Sequence, residues 1–200
     1  MRVLLTGFEP YWDYTLNSSW VVAQQIASAT VSNAEIVAEL LPVSFARVAG
    51  ALAAAVERHN PELIIMLGQS GGSDRIKLER AALNLMDARL ADNDGYIPDE
   101  QQIDPSGPAA LFTSLPIKAL REAVEAKGIA VKISNSCGLY VCNRVYYQAL
   151  TTCSTRPNMG ALFIHLPYYS GQATAKVGKP TMPVETMVEA VQTIIKRLND

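Results

Sequence analysis

A thiol placed at the start of a helix and an imidazole at the end of a strand are the side chains in this 200-residue sequence that could act on one another. In the stretch S-N-S-C-G-L-Y-V-C-N-R-V-Y-Y, Val131–Ser134 reads as a strand end and Asn135 to Gly138 as a turn. Val141, Val145 and Tyr146 then fit one face of a new helix. Cys142 falls in the first turns of that helix, where unpaired N–H groups and the positive dipole end favour a thiolate, the form that a sulfur nucleophile needs. Position alone leaves a second reading open, that Cys142 is a small buried hydrophobe. Cys137 raises the idea of a redox pair or half of a metal site, but the spacing is not C-x-x-C and no second His/Cys cluster accompanies it.

A nucleophilic cysteine requires a base, and the chain has only 2 histidines. His59, in E-R-H-N-P, ends a helix pattern and reads as solvated or capping. His165 closes an apolar run just before Leu166-Pro167-Tyr168, at a sheet edge where ligands bind, with a structural histidine as the alternative. The base in turn needs an orienting carboxylate. Asp74, Glu79, Asp87 and the acidic residues within 92–104 are candidates. Glu79 stands out because the apolar A-A-L-N-L-M run behind it would draw it inward; its alternative is a salt bridge with Arg75, Lys77 or Arg80. The loop G-Q-S-G-G-S lacks the lysine and spacing of a phosphate cradle, so Gly68, Gly71 and Gly72 read as a tight turn near a ligand. Phe8, Tyr11 and Trp12 bring aromatics to the same edge, suited to a small flat ligand or to ordinary packing.

These residues need elements to hold them. Short apolar runs at residues 3–6, 36–41, 63–67, 131–134 and 161–165 largely lack in-out alternation, as do strands buried on both faces. Between them, Ser44 could cap a helix carrying Phe45, Val48, Ala49, Leu52, Ala55 and Val56. Another helix begins near Ser114, with Pro116 in its first turn and Leu120 and Val124 on one side. The last runs from Val184 to Leu198 and ends on Lys196 and Arg197, where a helix terminus favours cations. Alternating strands and helices predict an α/β fold, a single-domain α/β/α sandwich over residues 1–200 with a mostly parallel central sheet. Chemistry in such sheets collects at the strands' carboxyl ends, after Thr6, Leu67, Ser134 and Ile164. Residues 92–108, rich in Asp, Gly and Pro, read as a long loop or hairpin.

Composition sets bounds on function. Hydrophobic residues make up 49% and charged residues 18%, and the net charge of −2 comes without any basic cluster, so nucleic-acid and membrane-surface roles lose their electrostatic footing. The apolar run before Gly7 is too brief for a leader or a span, which makes the cytoplasm the expected location. Three cysteines form an odd set that argues for a reactive thiol over a disulfide framework.

Five blocks, L-L-T-G-F-E-P, L-G-Q-S-G-G with I-K-L-E-R-A-A-L-N, S-L-P-I-K-A-L, S-N-S-C-G-L-Y-V-C-N and F-I-H-L-P-Y, occur in the order found in the pyroglutamyl-peptidase I family of cysteine peptidases, which the chain resembles over nearly its whole length. The resemblance implies Cys142 as nucleophile, His165 as general base and acid, and Glu79 as third triad member. It implies that Arg89 lies near the oxyanion region and that Phe8, Tyr11, Gln69, Tyr140 and Val141 line a pocket for the lactam ring. Peptides with an N-terminal pyroglutamate would be the substrates, with no cofactor and often a tetrameric assembly. Three departures mark this chain. Pro10-Tyr11-Trp12-Asp13 stands where the family usually has P-F-G-G, Asn17-Ser18-Ser19 replaces N-P-S, and Cys137 takes the place of a smaller residue. The second of these aside, they bear on ring specificity and on oxidation through a Cys137–Cys142 pair. A non-catalytic binder of lactam or peptide N-termini is the alternative from another class, and a nucleoside-phosphorylase-like enzyme a weaker one on fold alone.

Overall fold

Runs of Val, Ile and Leu with no polar face can only be satisfied in the middle of a covered sheet. In the computed structural model, which describes residues 1–175 and 178–199 (backbone alone at 173–175), that sheet has 6 strands. They are β1 (Arg2–Phe8), β2 (Glu35–Leu41), β3 (Leu63–Gln69), β4 (Ile76–Glu79), β7 (Val131–Ser134) and β8 (Gly160–Leu166), in the order β2-β1-β3-β8-β4-β7. Two small ladders stand apart, β5 (Ala81–Leu83) with β6 (Ala110–Phe112) and β9 (Tyr168–Tyr169) with β10 (Thr181–Met182).

Successive strand residues face opposite layers. Leu5, Ile65 and Leu162 pack with α1 (Ser18–Ala27), α3 (Ile117–Glu125) and α5 (Val184–Asn199) through Val22, Leu120 and Val191. Leu4, Ile64 and Phe163 point the other way, onto Leu52 of α2 (Val48–His59) and Val145 and Tyr146 of α4 (Val141–Ser154). All these side chains are fully or almost fully buried, each contributing about 1.5–3 kcal/mol against exposure, and this two-sided burial is why the sequence shows no alternation. The α/β fold with its mostly parallel sheet flanked by helices is thus as the sequence predicts.

Several details differ. The helix expected from Ser44 starts at Val48; Ser44 instead caps the turn leading into it, its Oγ accepting from Arg47 N–H at 3.1 Å and donating to Asp94 at 2.6 Å. Helix α1, capped by Asn17 accepting from Ser19 N–H, and strand β4 escape the sequence patterns. β4 pairs antiparallel with β8 and parallel with β7, so β7 also runs against the other strands. The carboxyl end of β7 therefore does not share the edge of β1, β3 and β8, contrary to expectation, and residues 135–140 must carry the chain to the start of α4. Residues 92–108 hold no strand or helix. They lie within a loop closed by mutual Met86–Gln101 backbone bonds and by Asn84, whose side-chain oxygen accepts from the N–H groups of Ile103 and Asp104. Among the described residues no helix is long and apolar enough to cross a membrane.

Candidate active site

The site begins with how α4 is anchored. Gly138, at φ 84°, makes a turn that disfavours any Cβ, and Tyr140 in extended conformation opens the helix, leaving Cys142 as its second residue. The next side chain, Asn143, is fully buried. Its oxygen accepts from Leu83 N–H at 2.8 Å, and its amide donates to the carbonyls of Leu83 and Leu85, each at 2.8 Å. Tyr146 donates to the carbonyl of Glu79 at 2.9 Å. The thiol-bearing turn is fastened in this way to the backbone around β4 and β5.

The antiparallel β4–β8 pairing positions the imidazole. Lys77 lies directly opposite His165 and Glu79 opposite Phe163, which makes Glu79 and His165 diagonal neighbours on one face. A glutamate is long enough to span that diagonal, and its Oε1 lies 2.8 Å from His165 Nδ1, with the carboxylate 1% exposed. A carboxylate there accepts from Nδ1–H, which turns Nε2 toward proton exchange. None of Arg75, Lys77 or Arg80 forms an ion pair with Glu79 among the described residues, so the salt-bridge reading gives way to the histidine contact. Gly68 makes room for the ring: a Cβ there would stand 2.7 Å from the Phe163 ring and 3.0 Å from His165 Cδ2.

Cys142, His165 and Glu79 all line one cavity of about 530 Å³. Phe8, Tyr11, Tyr140 and Val141 give it an apolar wall, Gln69 a polar one, and the exposed Arg89 also borders it. The site residues that the family resemblance implies therefore all border one hollow, whereas Gly68, Gly71, Gly72 and Asp74 do not line it and His59 lies elsewhere, 2.6 Å from Glu39. Gln69 is held firmly, accepting from Ser18 N–H at 3.0 Å and Gln172 at 2.8 Å, and donating to the Tyr11 hydroxyl at 3.4 Å. Trp12 lines the cavity in a left-handed conformation, φ 55°, that costs a non-glycine residue strain. Its indole donates to Ala91 O at 3.3 Å, the carbonyl that also accepts from Tyr140 at 2.9 Å, so three segments meet around the opening.

Electrostatics modify one expectation. The Cys142 thiol is pushed up to about 12, first by desolvation and then by the charge of Glu79, against a smaller pull from its own backbone N–H. Desolvation and the charge of Glu79 thus act against the thiolate that the helix start favours. Cys137, buried in the same wall with its Sγ 3.7 Å from Asn143 Oδ1, is pushed well above the usual thiol range for the same leading reason. Asn143, Lys77 and Ser70 are site residues that sequence reasoning missed. Asn143 sits beside Cys142 in V-C-N, but a polar residue in a helix reads as solvent-facing until its partners are known. No group of three or more metal-ligating side chains forms among the described residues.

The sequence profile described as pyroglutamyl peptidase matches residues 1–199. A pyrrolidone-carboxylate peptidase of Enterobacter sp. (strain 638) is 41% identical over 191 residues, covering 96% of this chain and 89% of that protein. Another, from Thermococcus onnurineus (strain NA1), is 39% identical and covers 98% of both. The crystal structure of Bacillus amyloliquefaciens pyroglutamyl peptidase I superposes with a TM-score of 0.93 at 36% identity, over 98% of this chain and 95% of that one. Agreement in sequence and fold from end to end, around a cavity shared by a thiol, an imidazole and a carboxylate, makes the assignment plain: the chain belongs to the pyroglutamyl peptidase family of cysteine peptidases.

Proposed function

We propose that the chain is an exopeptidase that hydrolyses the bond after an N-terminal pyroglutamate, with Cys142 as nucleophile, His165 as general base and acid, and Glu79 fixing the imidazole. The observation that carries this reading is the 2.8 Å Glu79–His165 contact in the wall of the cavity that Cys142 also lines. With burial pushing the thiol pKa up, His165 would take its proton as sulfur attacks the pyroglutamyl carbonyl. The unpaired N–H groups at the start of α4, with Arg89 nearby, are the donors suited to the developing oxyanion. The imidazolium then gives its proton to the departing amine. Water, deprotonated by the same ring, attacks the thioester, and the thiol leaves as free pyroglutamate forms.

The lactam ring suits Phe8, Tyr11, Tyr140 and Val141, with Gln69 offering a hydrogen bond. An ordinary N-terminus would carry an ammonium into that apolar wall at a cost of several kcal/mol, which accounts for an exopeptidase confined to the blocked residue. By the same family likeness we extend the reading to a homotetramer in the cytoplasm, which light scattering and fractionation would test.

The decisive assay is turnover of a fluorogenic pyroglutamyl amide, with and without iodoacetamide. We expect Cys142→Ala to lower kcat by at least about a thousandfold with an unchanged thermal melt. Turnover within tenfold of the parent would remove Cys142 from its role. Stabilisation by pyroglutamate derivatives with no turnover at all would support the non-catalytic binder instead.

A further inference from the structure

Lys77 is left unexplained by this chemistry. It projects from β4 directly opposite His165, on the same face, and lines the same cavity. Its ammonium donates to Ser70 Oγ at 2.8 Å, and Ser70 also lines the cavity. An ammonium has three donors, and among the described residues no carboxylate stands within ion-pairing distance of this one. Glu79, on the same strand, is engaged by His165; Asp74, just before the strand, is held by two nitrogens of Arg75, each at 2.9 Å. The parallel neighbour of Lys77 on β7 is Lys132, a second cation. Asp74 offsets part of the charge of Lys132, which leaves the Lys77 ammonium as the cation that faces the cavity without a carboxylate partner among the described residues.

We propose that Lys77, steadied by Ser70, forms a carboxylate-binding subsite on the leaving-group side of the cavity. This rests on the peptidase reading above, because the direction of the substrate follows from it. His165 must reach the scissile nitrogen to protonate it, so the residue after pyroglutamate leaves the site past the imidazole. The lactam occupies the aromatic wall, which Lys77 does not join. A side chain directly beside the imidazole is therefore presented to whatever follows the scissile nitrogen. Two carboxylates could reach it: the α-carboxylate of a pyroglutamyl dipeptide, two bonds from that nitrogen, or the side chain of an acidic residue at the same position.

The test compares kcat/KM across two substrate pairs for the parent, Lys77→Met and Lys77→Arg. Pyroglutamyl-alanine against its amide probes the α-carboxylate; pyroglutamyl-glutamate amide against pyroglutamyl-glutamine amide probes the side chain. In the parent we expect the carboxylate-bearing member of one pair to be preferred, and that ratio to fall about five- to tenfold in Lys77→Met and to recover in Lys77→Arg. The pair that responds identifies the source of the carboxylate. Ratios unchanged by Lys77→Met in both pairs would overturn the subsite, as would an equal loss on all four substrates, which would mean that Lys77 acts only through His165. A parent that cleaves none of the four would instead sink the peptidase reading, and the subsite with it.

Discussion

A thiol pushed up to about 12 by burial and an imidazole tethered through Nδ1 imply, on the proposed mechanism, a nucleophile that is activated during attack, not beforehand. The distinction has a pH signature. Alkylation by iodoacetamide needs the thiolate, so its rate is expected to climb about tenfold per pH unit from about pH 7 to beyond pH 9. A rate already flat near neutral pH would show a preformed thiolate–imidazolium pair and overturn this account. Glu79 adds a second, sharper expectation. Its negative charge is the next largest cause, after desolvation, of the raised thiol pKa, so removing it lowers that pKa. In Glu79→Gln the alkylation profile should shift to lower pH while peptide hydrolysis falls by roughly 10²–10⁴, since the imidazole loses its orienting acceptor. A merely structural glutamate would not move the two readouts in opposite directions.

At the level of elements, the site depends on a strand and a helix start that are bound to each other, and the buried amide of Asn143 is the principal tie. Replacing Asn143 by leucine strands one N–H and two carbonyls away from water, so we expect a loss of about 3–5 kcal/mol in urea unfolding, with activity falling as the Cys142 turn loosens. A loss under about 1 kcal/mol would show that these backbone groups find other partners. The same region marks the boundary of what is legible in the sequence. Strands β1, β3 and β8 are legible because both faces are covered, and α5 because only one stripe is. β4, as Ile-Lys-Leu-Glu, has alternate charged residues and resembles a surface segment; its buried polar face exists only because His165 and the cavity lie beside it. The direction of β7 was equally hidden, since pairing across a sheet leaves no local mark. Cys142 and His165 could be picked out by residue type and position. Glu79 could not be chosen among carboxylates without the family likeness, because its partner is 86 positions away.

Over the whole molecule, several acids with ordinarily alkaline pKa values are desolvated where they stand, Tyr146 in the core and Tyr11, Tyr140, Cys142 and Cys153 at half-buried positions, and the shift in each favours the neutral form. Desolvation is the leading cause at Cys142, pushed up to about 12, at Cys153, to about 11, and at Tyr140, to about 12; Tyr11 and Tyr146 are raised as well. The sign of the linkage follows. Once unfolded, the thiols ionise from about 9 and the phenols from about 10, while the folded groups keep their protons, so the native state binds more protons in that range. Stability is therefore fully present below about pH 9 and declines as pH rises toward 12, because unfolding releases protons that a rising pH removes. Thermal melts in a pH series should be level from about pH 7 to 8.5 and fall progressively above pH 9. Cys142→Ala removes one of the responsible groups, so the slope of its unfolding free energy against pH should be shallower by close to one proton near pH 10 to 11. Identical slopes in parent and variant would mean that the Cys142 thiol is solvated in the native state, and the general-base account of its activation would lose its physical ground.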